Sequence, residues 1–107
     1  MTKVQARPDF DVPDHVAVSV RDIEQSVRCY TTRFKCRVVY QDAAWALLAF
    51  GNVRLAIVIP EPSIPHIAIL GDPRSYGVPK SHRDGTSSVY IEDPNGTNVE
   101  ILELRGT

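Results

Sequence analysis

Apolar and polar residues alternate from His15 to Val20, with Val16, Val18 and Val20 on one face and His15, Ala17 and Ser19 on the other. A period of two predicts a strand. Asp22 followed by Gln25 predicts a capping box, and Ile23, Val27, Tyr30 and Phe34 then recur as one apolar stripe of a helix ending near Lys35. Arg37 to Tyr40, Trp45 to Phe50 and Val53 to Ile59 read as three further strands, with Trp45 in the core and Gly51-Asn52 as a tight hairpin. Pro60, Pro62 and Pro65 then form a stiff linker.

Beyond the linker the pattern restarts. Pro65-His66-Ile67-Ala68-Ile69 echoes Asp14-His15-Val16-Ala17-Val18, and the chain closes on strand Ser87 to Ile91, turn Asp93-Pro94-Asn95-Gly96, and strand Asn98 to Leu104. This reads as a degenerate internal duplication. Gly71, Pro73, Gly77, Pro79 and Gly85 break any second helix, so most of the stretch from Leu70 to Ser87 reads as a loop at the mouth of a site, with a short strand surviving near Val78 to Ser81.

Composition narrows the classes. With 107 residues, 43% hydrophobic and 23% charged, the chain reads as one ordered domain with one core. A formal charge of -1 and scattered arginines give no field favouring nucleic acid or an anionic membrane. No apolar run spans a bilayer, and residues 1–13 read as a polar leader without a signal-peptide core. Cys29 and Cys36 are too few for a disulfide framework and read as packing residues, so the expected compartment is a reduced cytoplasm.

Candidate chemistry follows from the repeat. His15 and His66 hold matching places in the two copies, and a pseudo-twofold axis between the halves would make them converge. Glu100 shares a strand face with Leu102 and Leu104, whereas Glu103 faces the other way. A carboxylate among inward apolar residues is costly unless it is paired or bound to a metal. His15, His66 and Glu100 are therefore the expected ligands of one divalent ion, with coordination positions left open for substrate.

These residues, together with Tyr90-Ile91-Glu92-Asp93-Pro94-Asn95-Gly96 running into Val99-Glu100, give a chain that resembles the vicinal oxygen chelate superfamily over about residues 14–104. That group includes glyoxalase I, fosfomycin-resistance proteins, extradiol dioxygenases and bleomycin-resistance proteins. The resemblance implies an α+β fold of two βαβββ-type modules, residues 14–60 and 65–105, within a single domain spanning 14–107. The second module lacks most of its helix, and an open, curved mixed sheet surrounds the metal site. It also implies metal ligands on the first, fifth and eighth strands, at His15, His66 and Glu100.

Some relatives add a glutamate on the fourth strand, where this chain has Ala56, and have a glycine after the first helix, where it has Lys35. By the same resemblance Tyr90 becomes the candidate catalytic residue, and Ser88 and Lys80 candidates for substrate contact. His82 and Arg83, in the glycine-proline loop, join them. The implied activity is a metal-dependent lyase, transferase or dioxygenase using Fe, Mn, Zn or Ni on a small-molecule substrate, in a homodimer. No residue stands out as a general base. The alternative is a drug-sequestering protein of the bleomycin-resistance type without catalysis.

Overall fold

The computed structural model describes residues 9–60, 64–82 and 84–104. In chain order it contains β1 (Pro13–Ser19), α1 (Ile23–Arg33), β2 (Arg37–Gln41), β3 (Trp45–Ala49), β4 (Arg54–Val58) and β5 (His66–Leu70). A 3-10 turn at Pro73–Ser75 follows, then β6 (Lys80–Ser81), β7 (Ser87–Glu92) and β8 (Asn98–Glu103). Residues 1–8 of the expected leader lie outside the described residues, and Pro13 already belongs to β1.

All eight strands form one mixed sheet in the order β2-β3-β4-β1-β5-β8-β7-β6. Counted inward from either end, each half runs second, third, fourth, first strand of its module, so the duplication is also a symmetry of the sheet. β1 pairs parallel with β4, and β5 pairs parallel with β8. The two modules join through the antiparallel β1–β5 pair, where His15 lies opposite Ala68, Ala17 opposite His66 and Val16 opposite Ile67. The pseudo-twofold axis passes through the Val16–Ile67 pair, which places both histidines on one face and diagonal to each other.

The helix starts where the sequence expects it. Asp22 accepts a hydrogen bond from the Gln25 backbone N–H at 3.0 Å, a cap worth about 1 kcal/mol. It ends at Arg33, and the chain leaves through Phe34 in an extended conformation (φ −130°, ψ 155°). No described non-glycine residue has positive φ, so Lys35 carries no left-handed strain. The Asp93-Pro94-Asn95-Gly96 turn does use its glycine, with Gly96 at φ +88°.

α1 covers the far face of the first module. Ile23 and Val27 pack with Ala46, Leu48 and Ile57, flanked by Val18, Tyr30 and Phe50. Because Ala46 and Leu48 take that face, the alternation of β3 sends Trp45 and Leu47 to the opposite one. Trp45 is 38% exposed and stacks on Tyr40, so it is a wall residue, contrary to the expected core position. Cys36 is half-buried, but Cys29 is exposed and does not pack as a core residue.

Among the described residues the second module has no α-helix to cover its far face, and the breaker-rich segment with its 3-10 turn does part of that work. Pro73 is fully buried, a Cβ on Gly71 would lie 3.4 Å from Ile101 Cγ2, and one on Gly77 3.1 Å from Val89 Cγ2. Ile101 and Val89 lie opposite each other in the β7–β8 pair, one position from Glu100 and therefore on the other face. Residues 71–77 thus lie behind the sheet, away from the histidines, and of the described residues in this stretch His82, Asp84 and Thr86 line the cavity over them. The reason is that uncovered apolar strand residues recruit the nearest chain. Among the described residues no helix is long and apolar enough to cross a membrane.

Candidate metal centre

β1, β5 and β8 bring three side chains together at the middle of the sheet. His15 Nε2 and His66 Nε2 are 3.1 Å apart, and Glu100 Oε1 lies 3.7 Å from the first and 3.4 Å from the second. A point equidistant from three atoms so spaced is about 2.0 Å from each, the length of a zinc–nitrogen or zinc–oxygen bond. The side chains of all three are mostly shielded from solvent.

The outer partners fix which ring nitrogens face the centre. His15 Nδ1 lies 2.8 Å from Asp14 Oδ2, and His66 Nδ1 lies 2.9 Å from the Ile64 carbonyl oxygen. Both partners accept only, so each Nδ1 carries a hydrogen, and whenever a ring is neutral its Nε2 holds the lone pair. Two imidazole lone pairs and a carboxylate oxygen then aim at one point. That arrangement requires a positive charge between them, either a proton or a metal ion, and the donor set suits a divalent metal.

The electrostatics agree. Glu100 raises the pKa of His66 by hydrogen bonding, outweighing burial. Burial alone would push the Glu100 carboxyl up, but hydrogen bonds from His66 and Ser88 and the two histidine charges hold it below its ordinary value.

Asp14 and Arg54 were not singled out by the sequence. In the β1–β5 register Pro13 faces Ile69 and His15 faces Ala68, so Asp14 is an extra, bulged residue. Asp14 and His15 therefore both line the same cavity. Arg54, opposite His15 on β4, donates to Asp14 Oδ2 at 2.6 Å. Burial opposes ionisation of Asp14, but its bonds to His15 and Arg54 prevail and keep its pKa low. In the second copy the equivalent residue is Pro65, which has no acceptor side chain, and a backbone carbonyl serves His66 instead. The Asp-His dipeptide was a visible signal. The bulge that makes it useful was not.

A cavity of about 700 Å³ opens over the three residues, walled by Trp45, Leu47, Val58, Leu102 and Leu104. Ala56 lines it too, at the place where a fourth ligand would project. Tyr90 faces Glu100 across the β7–β8 pair and sets its ring edge-on to His66, 5.4 Å between centroids. Burial, the Glu100 charge and a hydrogen bond to Glu100 push its phenol up to about 12, so it remains a protonated donor.

The other expected substrate contacts are distributed differently. His82 lines the cavity, while Ser88, 2% exposed, lies beneath it, 2.8 Å from His82 Nε2. Lys80 sits exposed on β6, opposite Ser88, outside the lining. Arg83 lies outside the described residues.

The sequence matches no protein-family model and no curated protein. Among solved structures, a hypothetical protein from Bacillus halodurans C-125 matches with a TM-score of 0.70 at 17% identity, covering 91% of this chain and 96% of its own. A lactoylglutathione lyase from Agrobacterium tumefaciens matches at a TM-score of 0.45 and 18% identity, covering 91% and 96%. A glyoxalase/bleomycin resistance protein/dioxygenase from Alicyclobacillus acidocaldarius does so at 0.44 and 16%, covering 94% and 95%. What the first of these shares with the chain at such identity is the fold, and the single mixed sheet with one α-helix among the described residues is the α+β architecture expected from the sequence.

Proposed function

We propose that this protein is a divalent-metal-dependent enzyme that binds a small substrate through two adjacent oxygens, with His15, His66 and Glu100 as the ligands. One observation carries the reading: both Nδ1 atoms are committed to acceptors, so both Nε2 lone pairs and Glu100 converge on a single point. When bound, the metal supplies Lewis-acid stabilisation of negative charge developing on the substrate.

The chain's own residues do the rest. Trp45, Leu47, Val58, Leu102 and Leu104 exclude water from one side of the substrate and favour an apolar or aromatic body. Tyr90, held protonated, donates a hydrogen bond beside Glu100. Asp14 and Arg54 keep His15 in the ligating tautomer.

Two imidazoles and one carboxylate form the donor set of non-haem iron oxygenases, and Ala56 in the fourth-ligand place disfavours the glyoxalase I type. Lyase and thiol-transferase chemistry are the competing outcomes.

Metal content of the purified protein tests the proposal, compared with His15→Ala, His66→Ala and Glu100→Ala. About one metal per chain is expected in the native protein, with weaker binding in each variant. Unchanged binding in all three overturns the assignment. Iron together with oxygen uptake on catechols selects the oxygenase reading. Manganese, nickel or zinc with thiol consumption selects the others.

A further inference from the structure

Of the described residues that line the cavity, Arg54 is the one arginine or lysine. Lys80 stands outside the lining, exposed on β6. A guanidinium stays protonated at any working pH, so the wall at Arg54 carries a permanent positive charge.

The sheet register fixes where that charge lies. Arg54 is beside His15 in the β1–β4 pair, and His15 is opposite Ala68 in the β1–β5 pair. Ala68 is beside Glu100 in the β5–β8 pair, and Glu100 is opposite Tyr90 in the β7–β8 pair. Residues paired in register share a face, so these five form one row across the sheet. Arg54 and Tyr90 end the row, about 19 Å apart at about 4.8 Å per strand. Two groups that keep their protons at neutral pH therefore flank the three donors from opposite sides.

The bond to Asp14 leaves most of the guanidinium free. Arg54 Nη2 donates to Asp14 Oδ2 at 2.6 Å, the one side-chain hydrogen bond Arg54 makes among the described residues. The remaining N–H groups of the flat fork stay available to a second acceptor. The Arg54 side chain is 42% exposed, against 12% for Asp14, and Ala49 opposite it on β3 adds only a methyl group at its outer flank. His66 shows that holding a ring tautomer needs no such cation, since a carbonyl oxygen alone serves its Nδ1.

Ala56 supplies the room. It follows Arg54 by two residues on the same strand and face, with a methyl group where a fourth ligand would project. Leu47 lies opposite Ala56, and Trp45 opposite Val58, further along that face. The β4 side of the centre thus has an open floor, an apolar wall and a cation at one end. Asp84, the acidic residue of the lining outside the Asp14 and Glu100 clusters, belongs to the turn between β6 and β7, at the other end of the strand order.

We infer that Arg54 binds substrate and that the substrate is a small carboxylic acid, its carboxylate held by the Arg54 fork and its body lying over Ala56. The inference rests on the proposed function, which supplies the place for the substrate's two adjacent oxygens. A carboxylate suits the site better than a phosphate. Its two coplanar oxygens match the fork of one guanidinium, and among the described residues no second arginine or lysine lines the cavity to balance a dianion.

Two measurements test it. In zinc-loaded protein the probes are 3,4-dihydroxybenzoate and its methyl ester, which share a pair of adjacent oxygens and differ by one charge. Arg54→Gln should weaken binding of the acid by about 10–100-fold, the loss of a charge-assisted pair, and change that of the ester by less than about twofold. No loss for the acid overturns the inference. Equal losses for both probes also overturn it, because they are what an arginine acting only through Asp14 and His15 would give.

In metal-free protein the probe is benzoate, which has the carboxylate without the adjacent oxygens. It should shift the Arg54 Nε–H signal saturably, with a Kd of about 1–10 mM, the signal being assigned by its loss in Arg54→Gln. Absence of that shift overturns the inference. Native protein that takes up no zinc, or zinc-loaded protein that binds neither probe, overturns the proposed function instead, and the benzoate titration then decides the role of Arg54.

Discussion

Ala56 and Glu100 occupy equivalent places in the two modules. Ala56 lies beside Ala17 in the parallel β1–β4 pair, and Glu100 lies beside Ala68 in the parallel β5–β8 pair. Ala17 and Ala68 are themselves related by the axis that relates His15 to His66. The centre therefore has four symmetric corners, of which three carry donor atoms and the fourth a methyl group.

Filling that corner is the first prediction. Ala56→Glu should raise zinc affinity by at least about tenfold, because a fourth protein ligand closes the first shell. It should also lower the stability of the metal-free protein by about 1–3 kcal/mol through burial of a carboxylate. Competition against a coloured chelator measures the first effect and urea unfolding the second. Affinity equal to that of the native protein would show that Ala56 does not face the ion.

Under the proposed function Asp14 bears on the metal through the proposed ligand His15, and its removal should be felt at the centre. Asp14→Asn should weaken metal binding by about 10–100-fold, the usual cost of losing an outer carboxylate partner. Arg54→Gln should weaken it less, since Asp14 would keep its bond to His15. A change within twofold for Asp14→Asn would reduce the bulge to a local irregularity.

The pH dependence of stability should change direction with metal. In metal-free protein, the raised pKa of His66 stabilises the fold fully below 6.5, and that contribution is lost as pH rises through the folded value. The lowered pKa of Glu100 stabilises above 4.5, and that contribution is lost as pH falls through its folded value. The metal-free fold should therefore gain most from this pair between 4.5 and 6.5. A bound metal needs His66 neutral, so the loaded protein should gain stability over the range where the metal-free one loses it. Melting temperatures against pH, with chelator and with metal, check this. Parallel profiles would contradict it.

Leu48 and Trp45 sit on opposite faces of β3, and their substitutions should separate. Leu48→Ala, at a position with no exposure, should cost about 2–5 kcal/mol. Trp45→Ala should cost clearly less, because its ring stands on the cavity wall against Tyr40. Comparable losses in chemical denaturation would return Trp45 to the core.

Much of this architecture was legible in one dimension. Period-two alternation marked the strands and the Asp22–Gln25 signal marked the start of α1. The repeated His-x-Ala pattern located both modules and two of the three converging side chains, since duplication turns matching sequence positions into matching places in space. Glu100 could be paired with them because strand alternation fixes which face a residue takes.

What tertiary structure alone decided was everything that depends on register and on which face the helix covers. The bulge that turns Asp14 towards His15 is a mismatch between two strands, and neither strand encodes it alone. Trp45 faces the cavity because α1 claims Ala46 and Leu48. Residues 71–77 lie behind the sheet because, among the described residues, the second module has no α-helix of its own. His82 meets Ser88 only once the turn between β6 and β7 closes. The sequence determined the three converging donor side chains. Their outer partners, Asp14, Arg54 and the Ile64 carbonyl, came from strand pairing and burial, which are properties of the assembled sheet.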